Sequence, residues 1–364
     1  MTVRFLCLAF LATVALCLGG SAQPASRGSD YAARANALLI RHLAAGDFSG
    51  VVIVAVHGRP LLRRAYGSAN REWNAPVTPD TVFRIGSTTK QFTAAAIMQL
   101  VEAGKVRLDD PIGAYVQNTP PSWAGITLRH LLTHTSGIPD YTQANGFIRI
   151  TAPLNLKPDQ IVDLVRNQPL DFAPGSKFQY DNTGYVLLGM VIERVSGESY
   201  GDYIRVHVLR PLGLDQTAYD DAADIVPRRA AGYWLSDGVV KNARAMTTSL
   251  AYAAGGLRST ADDLLRWDQA LHSGKLLRPE SVAAMFTDYG HGYGFGAFVE
   301  TRHGHRLWDH GGNLPGFSSA FEHFPDDGLT VIVLTNIEGQ GSEKLAAQLE
   351  GLYFGWPPPA KSPP

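Results

Sequence analysis

The amino-acid sequence predicts a mixed α/β (α+β) fold, in which a mainly antiparallel sheet is flanked by helices and carries an inserted all-helical subdomain. Three observations predict it. A β-branched run at residues 51–56 is typical of a buried strand and turns into a second strand. Helical periodicity dominates the middle of the chain, and strand patterns return in its C-terminal third. Short turns join the strands at each end, which favours antiparallel pairing.

Composition describes an ordinary globular chain. Its 364 residues suffice for one large domain or two packed ones. Apolar residues make up 45%, which argues against disorder. The formal net charge of -1 creates no overall field that would attract nucleic acid or anionic lipid. Because no low-complexity linker or repeat interrupts residues 30–354, we expect a single domain there.

The N-terminal residues have the pattern of a secretory signal. Arg4 precedes an apolar run at residues 5–18, which is shorter than the roughly 20 residues that span a bilayer. Small residues end the pattern at positions 20–22. We therefore expect residues 1–22 to be a cleaved signal peptide and the mature protein to be secreted or periplasmic, without stable membrane insertion. The alternative, a buried N-terminal helix, fits poorly beside the polar residues that follow.

The remaining elements follow from periodicity and turn residues. The predicted helices span residues 31–43, 89–103, 126–132, 158–165, 183–195, 200–208 and 343–353. The predicted C-terminal strands span residues 294–300, 306–309, 318–324 and 329–335. The proline-rich residues 355–364 cannot join a sheet ladder, and we expect them to be a disordered tail.

The first candidate catalytic motif is a serine that opens a helix. Ser87 begins the helix predicted at residues 89–103, and Lys90 lies one turn later on the same face. Free N–H groups at a helix N-terminus suit a developing oxyanion, and a buried lysine loses its proton readily. A serine hydroxyl needs such a base to become a nucleophile. Alone, the pair is equally typical of a helix cap followed by a solvated lysine.

Two further motifs accompany it. Tyr180-Asp181-Asn182 precedes the helix at residues 183–195, where a cap with a buried tyrosine is the plain structural interpretation. His310-Gly311-Gly312-Asn313 follows the strand at residues 306–309, where a glycine turn between strands is the plain interpretation.

Taken in this order, the three motifs resemble the signature of the serine β-lactamase and penicillin-binding-protein superfamily. The likeness is to the branch of class C β-lactamases, DD-peptidases, D-aminopeptidases and family VIII esterases, and it implies the β-lactamase/transpeptidase-like fold. The supporting stretches are Phe83-Arg84-Ile85-Gly86-Ser87, Leu108-Asp109-Asp110-Pro111-Ile112, Leu131-Leu132-Thr133-His134-Thr135-Ser136-Gly137-Ile138-Pro139, Phe172-Ala173-Pro174-Gly175, Ala254-Gly255-Gly256-Leu257-Arg258-Ser259-Thr260 and His310-Gly311-Gly312-Asn313-Leu314-Pro315-Gly316-Phe317.

The resemblance implies a set of catalytic residues. Ser87 is the expected acylated nucleophile, and Lys90 and Tyr180 are its expected base system. A tyrosine titrates near 10 and needs a nearby cation to act as a base at neutral pH, which Lys90 would supply. The two groups should titrate as a coupled unit.

The same resemblance implies substrate-binding residues. Asn182 is expected to hydrogen-bond the substrate amide or the lysine. The backbone N–H of Asn313 and that of the nucleophile are expected to form an oxyanion hole. His310, Gly311 and Gly312 are expected to frame the substrate side of the cleft. Neither a metal nor a cofactor is implied, and the expected partner is a small molecule or short peptide, not nucleic acid.

Two departures from the family pattern affect the expected activity. Asp181 stands where relatives often carry Ser or Ala, and a carboxylate that pointed into the cleft would repel anionic substrates. His310 replaces the lysine of class C β-lactamases and is mostly neutral at pH 7. We therefore expect an exported serine hydrolase for esters or D-amino-acid amides. A β-lactamase or DD-carboxypeptidase and a non-catalytic β-lactam or cell-wall-peptide sensor remain alternatives.

Other candidates receive a structural interpretation. His134 is expected to stabilise a turn by hydrogen bonds. Tyr141, Tyr233, Tyr293 and Trp308 are candidates for the cleft wall, although aromatic residues more often belong to a core. A metallohydrolase is a further alternative, but its candidate ligands have no recognised metal spacing. Those ligands are Asp288, His291, His303, His305, Asp309 and His310.

Overall fold

A computed structural model describes residues 24–357, apart from Asn145 and Gln340. The expected signal peptide and residues 358–364 of the expected tail lie outside this part of the chain. The helices are α1 (Pro24–Ala45), α2 (Thr89–Glu102), α3 (Leu128–Leu132), α4 (Pro158–Asp163), α5 (Thr183–Ser196), α6 (Tyr200–Tyr203), α7 (Arg210–Leu212), α8 (Thr248–Gly255), α9 (Ala261–Leu271), α10 (Pro279–Met285) and α11 (Gly341–Phe354). In the described residues, no helix is long and apolar enough to cross a membrane.

The strands form one large sheet and several small ones. They are β1 (Gly50–Val56), β2 (Arg59–Tyr66), β3 (Ser68–Asn70), β4 (Ala75–Pro76), β5 (Phe83–Arg84), β6 (Ala218–Tyr219), β7 (Tyr233–Ser236), β8 (Val239–Asn242), β9 (Leu257–Ser259), β10 (Phe298–Arg302), β11 (His305–Leu314), β12 (Phe317–Phe324) and β13 (Leu329–Thr335). The large sheet has the order β10-β11-β12-β13-β1-β2, and every neighbouring pair is antiparallel. The predicted fold class is thereby confirmed.

Alternating residues of each central strand are buried on opposite faces of the sheet. Val52 and Val54 of β1 point to the face that α1 and α11 cover, and Ile53 points to the opposite face with the other helices. The alternation follows from the two-residue period of a strand. Burial on both faces explains why β1 and β13 are almost continuously apolar.

The helical region lies between β2 and β10 in the sequence. Helices α2 to α8 form most of it, as expected, but two small sheets, β5-β9-β6 and β7-β8, interrupt the predicted all-helical subdomain. Their strands are two to four residues long, too short for a periodicity signal. Helices α8, α9 and α10 were also not predicted. In α8 the reason is visible, because the helix is kinked at Tyr252, which has φ +36°.

Two predicted boundaries shift at the C-terminal strands. The strand expected at residues 294–300 is Phe298–Arg302, because Gly296 has φ +79°, a left-handed conformation that ends regular pairing. The strand expected to stop at residue 309 continues to Leu314 and pairs with β12 from Trp308 onwards. The third motif is therefore part of a strand rather than a turn. At the end of the domain, Trp356 stacks on Phe354, with centroids 4.4 Å apart, so ordered packing reaches into the expected tail.

Candidate active site

Ser87 lies in a single 3-10 turn, Gly86–Thr88, immediately before α2. Gly86 has φ +53°, and a Cβ there would lie 2.9 Å from the backbone N of Asn313 on β11. Only glycine permits this approach. Thr88 fixes the same contact by donating its hydroxyl proton to the carbonyl of His310, 3.2 Å away. The turn that carries the serine is thus packed directly on the third motif.

Lys90 is fully buried and lies one helical turn after Ser87. Its Nζ is 3.2 Å from the Oγ of Ser87 and 2.9 Å from the Oδ1 of Asn182. It also donates to the backbone carbonyl of Ala254 in α8, at 2.8 Å. The lysine amine therefore joins Ser87 of the first motif to Asn182 of the second.

The surroundings of Lys90 bring the pKa of its amine close to neutral pH. Burial lowers the pKa of Lys90 from 10.5 to about 7, and the carboxylates of Asp140 and Asp181 only partly oppose that effect. A large fraction of the amine is therefore unprotonated at neutral pH, which allows it to accept a proton from a neighbouring hydroxyl.

Tyr180 packs against the lysine, whose Nζ is 4.7 Å from the ring centroid. Burial raises the pKa of Tyr180 above its ordinary 10, and a hydrogen bond with Ser87 offsets only part of that rise. Desolvation is the largest influence on this pKa, and the part of Tyr180 in the base system stays a prediction. The phenol accordingly keeps its proton and is suited to donate it rather than to act as the resting base.

Asp181 points away from the cleft. Its side chain is buried, and its Oδ1 accepts the backbone N–H of Gly184 at 2.5 Å, which caps the start of α5. Burial raises the pKa of Asp181 to about 7. His134 has the expected structural role, because its Nδ1 accepts the backbone N–H of Asp181 at 3.2 Å and its carbonyl accepts that of Gln179 at 2.9 Å.

The third motif contributes one residue to the cleft wall, and it buries His310 and Gly312. Asn313 lines the cleft, whereas His310, Gly311 and Gly312 are not part of its lining. The Nε2 of His310 is 3.1 Å from the hydroxyl of Tyr293. Burial, together with the nearby charge of Lys90, lowers the pKa of His310 to about 3. Its imidazole is therefore uncharged near neutral pH.

The cleft in front of Ser87 has a volume of about 270 Å³. Its described lining consists of uncharged side chains and glycine. The lining residues are Ser87, Tyr141, Thr142, Phe147, Asn182, Met246, Ala251, Ala254, Gly255, Asn313, Leu314 and Pro315. Of the four aromatic candidates, only Tyr141 belongs to this set. Sequence reasoning missed most of the apolar wall, because nothing local distinguishes Phe147 or Met246 from core residues.

The comparisons with known proteins agree with this geometry. The family model described as Beta-lactamase matches residues 35–353, most of the chain. The chain belongs to the beta-lactamase family. It is a serine hydrolase of that family, whose members include an esterase and a D-amino acid amidase.

Three relatives illustrate the range of the beta-lactamase family. Esterase EstB of Burkholderia gladioli is 31% identical over 367 residues, which cover 86% of this chain and 92% of EstB. A penicillin binding protein from Bacillus halodurans has a solved structure with a TM-score of 0.78, 29% identity, and coverage of 86% of this chain and 98% of its own. The D-amino acid amidase from Ochrobactrum anthropi SV3, solved with L-phenylalanine amide, has a TM-score of 0.77, 27% identity, and coverage of 89% and 98%.

Three of the six candidate ligands of the metallohydrolase alternative form contacts of their own. His305 pairs with Asp327 at 2.8 Å, and His310 bonds Tyr293 behind the cleft. Asp288 accepts backbone N–H groups of its own loop. Among the residues that the structure describes, a three-ligand cluster occurs at a different place, Asp268, His272 and His323.

Proposed function

We propose that this beta-lactamase family member hydrolyses uncharged esters or D-amino-acid amides through an acyl-enzyme on Ser87. The observation that carries the proposal is the distance of 3.2 Å between the Oγ of Ser87 and the Nζ of Lys90. The pKa of Lys90 near 7 makes that amine a competent base at neutral pH.

Acylation uses the chain's own groups. The neutral amine of Lys90 takes the proton of Ser87, and the Oγ attacks the substrate carbonyl carbon. The negative charge on the carbonyl oxygen would be stabilised by the backbone N–H groups of Ser87 and Asn313. In support, a Cβ built at Gly86, the residue before Ser87, would lie 2.9 Å from the backbone N of Asn313. Tyr180 gives its proton to the leaving oxygen or nitrogen, and the lysine's proton then replaces it. In deacylation, Lys90 takes a proton from water, which attacks the acyl-enzyme ester, and Tyr180 returns a proton to the Oγ of Ser87 as the acid leaves.

The charge of the site supports an uncharged substrate. A substrate carboxylate needs a fixed cation, and the residue at the family's lysine position, His310, is buried and neutral. The described lining of the cleft supplies amide and hydroxyl groups and an apolar wall. EstB is an esterase, and the amidase was solved with an amino-acid amide, which agrees with this substrate class.

A matched substrate pair tests the proposal. N-acetyl-D-alanyl-glycolate and N-acetyl-D-alanyl-glycolamide share acyl group and scissile ester and differ in one negative charge. We expect kcat/KM to be at least tenfold higher for the glycolamide, and intact-mass spectrometry to detect an acyl adduct that Ser87→Ala lacks. A preference for the glycolate would support a DD-carboxypeptidase or β-lactamase instead. A stoichiometric burst without a steady rate would support a sensor.

We also propose that the protein is exported and loses residues 1–22. The proposal depends on the short apolar run and the small residues at positions 20–22. N-terminal sequencing of the protein secreted by a bacterial host should find Gln23 first. A chain that retains Met1 in the cytoplasm would contradict it.

A further inference from the structure

We propose that Asp268, His272 and His323 bind one divalent transition-metal ion of the Zn²⁺ type, at a site that the Ser87 chemistry does not use. Asp268 lies on α9 and His272 follows that helix by one residue, so the two side chains are four positions apart on one face. His323 reaches the same point from β12.

The ligand atoms are already close to coordinating positions. The Nδ1 of His323 is 3.0 Å from the Oδ1 of Asp268, and the Nε2 of His272 is 3.9 Å from the same oxygen. All three ligand atoms lie within 4.8 Å of one another. Zn–N and Zn–O bonds of 2.0–2.2 Å in a tetrahedron separate the ligand atoms by about 3.3 Å. Shifts of side-chain atoms alone are therefore enough to close the site.

The surroundings orient the carboxylate ligand. The second oxygen of Asp268, Oδ2, accepts the hydroxyl proton of Thr330 at 2.6 Å. Thr330 on β13 is the register partner of His323, so both stand on the face of the sheet that α9 covers. Carboxylates that bind metal ions are usually held in place by a hydrogen bond of this kind. His272 keeps 29% of its side chain exposed, which leaves a path for an ion.

The donor set selects the class of ion. Two imidazole nitrogens and one carboxylate oxygen suit Zn²⁺ and its neighbours, whereas Mg²⁺ and Ca²⁺ prefer oxygen ligands alone. At 3.9 Å the contact between His272 and Asp268 is too long for a hydrogen bond, so hydrogen bonding does not explain why this histidine faces the carboxylate. The ring of His272 stacks on that of His323, with centroids 4.9 Å apart, which keeps both imidazoles next to the carboxylate.

The site is distant from the nucleophile. Ser319 on β12 contacts the nucleophile turn through the carbonyl of Ile85 and the hydroxyl of Thr88. His323 is four residues farther along the strand, about 13 Å away. A bound ion therefore cross-links α9 to the central sheet and stabilises the fold without touching the reacting atoms.

Calorimetric titration with Zn²⁺ tests the site. The full chain is first stripped of metal with EDTA, and the EDTA is then removed. We expect the wild type to bind one Zn²⁺ and not Mg²⁺ at millimolar concentration. His272→Ala removes a ligand at a partly exposed position and should lower Zn²⁺ affinity by about 100-fold or more, since loss of a supporting contact alone costs 10–100-fold. The matched control is His207→Ala, whose histidine pairs with Glu198 at 2.7 Å outside this cluster.

Two further measurements separate a metal site from a hydrogen-bonded cluster. Zn²⁺ should raise the melting temperature of the wild type and of His207→Ala, but not that of His272→Ala. Thr330→Val, which frees the Oδ2 of Asp268, should weaken Zn²⁺ binding about tenfold. Equal Zn²⁺ affinity in the wild type and His272→Ala, or no one-to-one binding by the wild type, overturns the proposal whatever happens to esterase activity.

Discussion

Lys90 is the residue whose surroundings most strongly determine the chemistry. Its amine is fully buried, with a pKa lowered to about 7. Because the neutral amine is the proposed base, we expect kcat/KM for an uncharged ester to rise as the pH increases through about 7 and to level off above 8. The measurement is a pH–rate profile from pH 5 to 9. A profile that is flat or falls across this range would exclude the role.

Lys90→Arg provides the matched variant for that profile. An arginine keeps its charge throughout, so the variant has no base, and we expect kcat/KM to fall roughly 10³-fold. The control is Lys105→Arg, at an exposed position after α2, which should leave the profile unchanged.

Tyr180 has a different expected signature, because its phenol keeps its proton. Tyr180→Phe should lower kcat/KM, which reports the acylation step, by roughly 10²–10⁴-fold for an amide, whose nitrogen must be protonated to leave. For a p-nitrophenyl ester the loss should be much smaller, since p-nitrophenolate departs without a proton. Tyr185→Phe is the matched control, because that hydroxyl donates to the carbonyl of Leu132 at 2.9 Å. Equal losses on both substrates would assign Tyr180 another role.

At the scale of elements, the proposed activity should depend on how closely the turn that carries Ser87 packs on β11. A Cβ at Gly312 would lie 2.0 Å from the carbonyl oxygen of Ile85 and 2.6 Å from the Oγ of Ser319. Gly312→Ala must therefore separate the turn from the strand. Because a displacement of 1 Å can cost about 100-fold, we expect at least that loss in kcat/KM.

The control for this substitution is Gly125→Ala, where nothing lies within 4 Å of the added Cβ. Steady-state kinetics with the same ester and thermal melts of both variants give the comparison. Gly312→Ala with wild-type kcat/KM would show that the contact between turn and strand does not position the reacting groups.

At the scale of the whole molecule, Asp220 joins distant parts of the chain. It is fully buried and pairs with Arg84 at 2.8 Å, Arg229 at 3.1 Å and Arg258 at 3.4 Å. Removing the carboxylate takes this partner from three partly buried cations, of which Arg258 keeps a second carboxylate, that of Asp224. We therefore expect Asp220→Ala to lower the free energy of unfolding by about 3–5 kcal/mol, measured by urea denaturation.

Asp224→Ala is the matched control for Asp220→Ala. Asp224 also pairs with Arg258, at 3.3 Å, but half of its side chain is exposed. Solvent screens such a pair, so the expected loss is below about 1 kcal/mol. Similar losses in the two variants would mean that burial of Asp220 is not what makes its pairing important.

Local patterns predicted the elements that carry the motifs. The helix expected at residues 89–103 is Thr89–Glu102, and the strand expected at 329–335 is Leu329–Thr335. Both depend on periodicity over neighbouring residues, which the sequence contains in full. The predicted strand before His310 ends too early, because the glycines that follow favour a turn locally. Only pairing with β12 keeps them extended. The small sheet β5-β9-β6 could not be predicted, because its strands pair with strands far away in the sequence.

The sequence by itself determined the family, the order of the three motifs and the spacing that brings Ser87 and Lys90 to one helix face. Only the tertiary structure decided the protonation of Lys90, the direction of Asp181 away from the cleft and the uncharged wall of the cleft. The physical reason is the sequence distance over which each interaction acts. Helical spacing acts over one turn, whereas the contact of Lys90 with the carbonyl of Ala254 joins residues 164 positions apart. Burial, and the pKa shifts that follow from it, depend on such contacts.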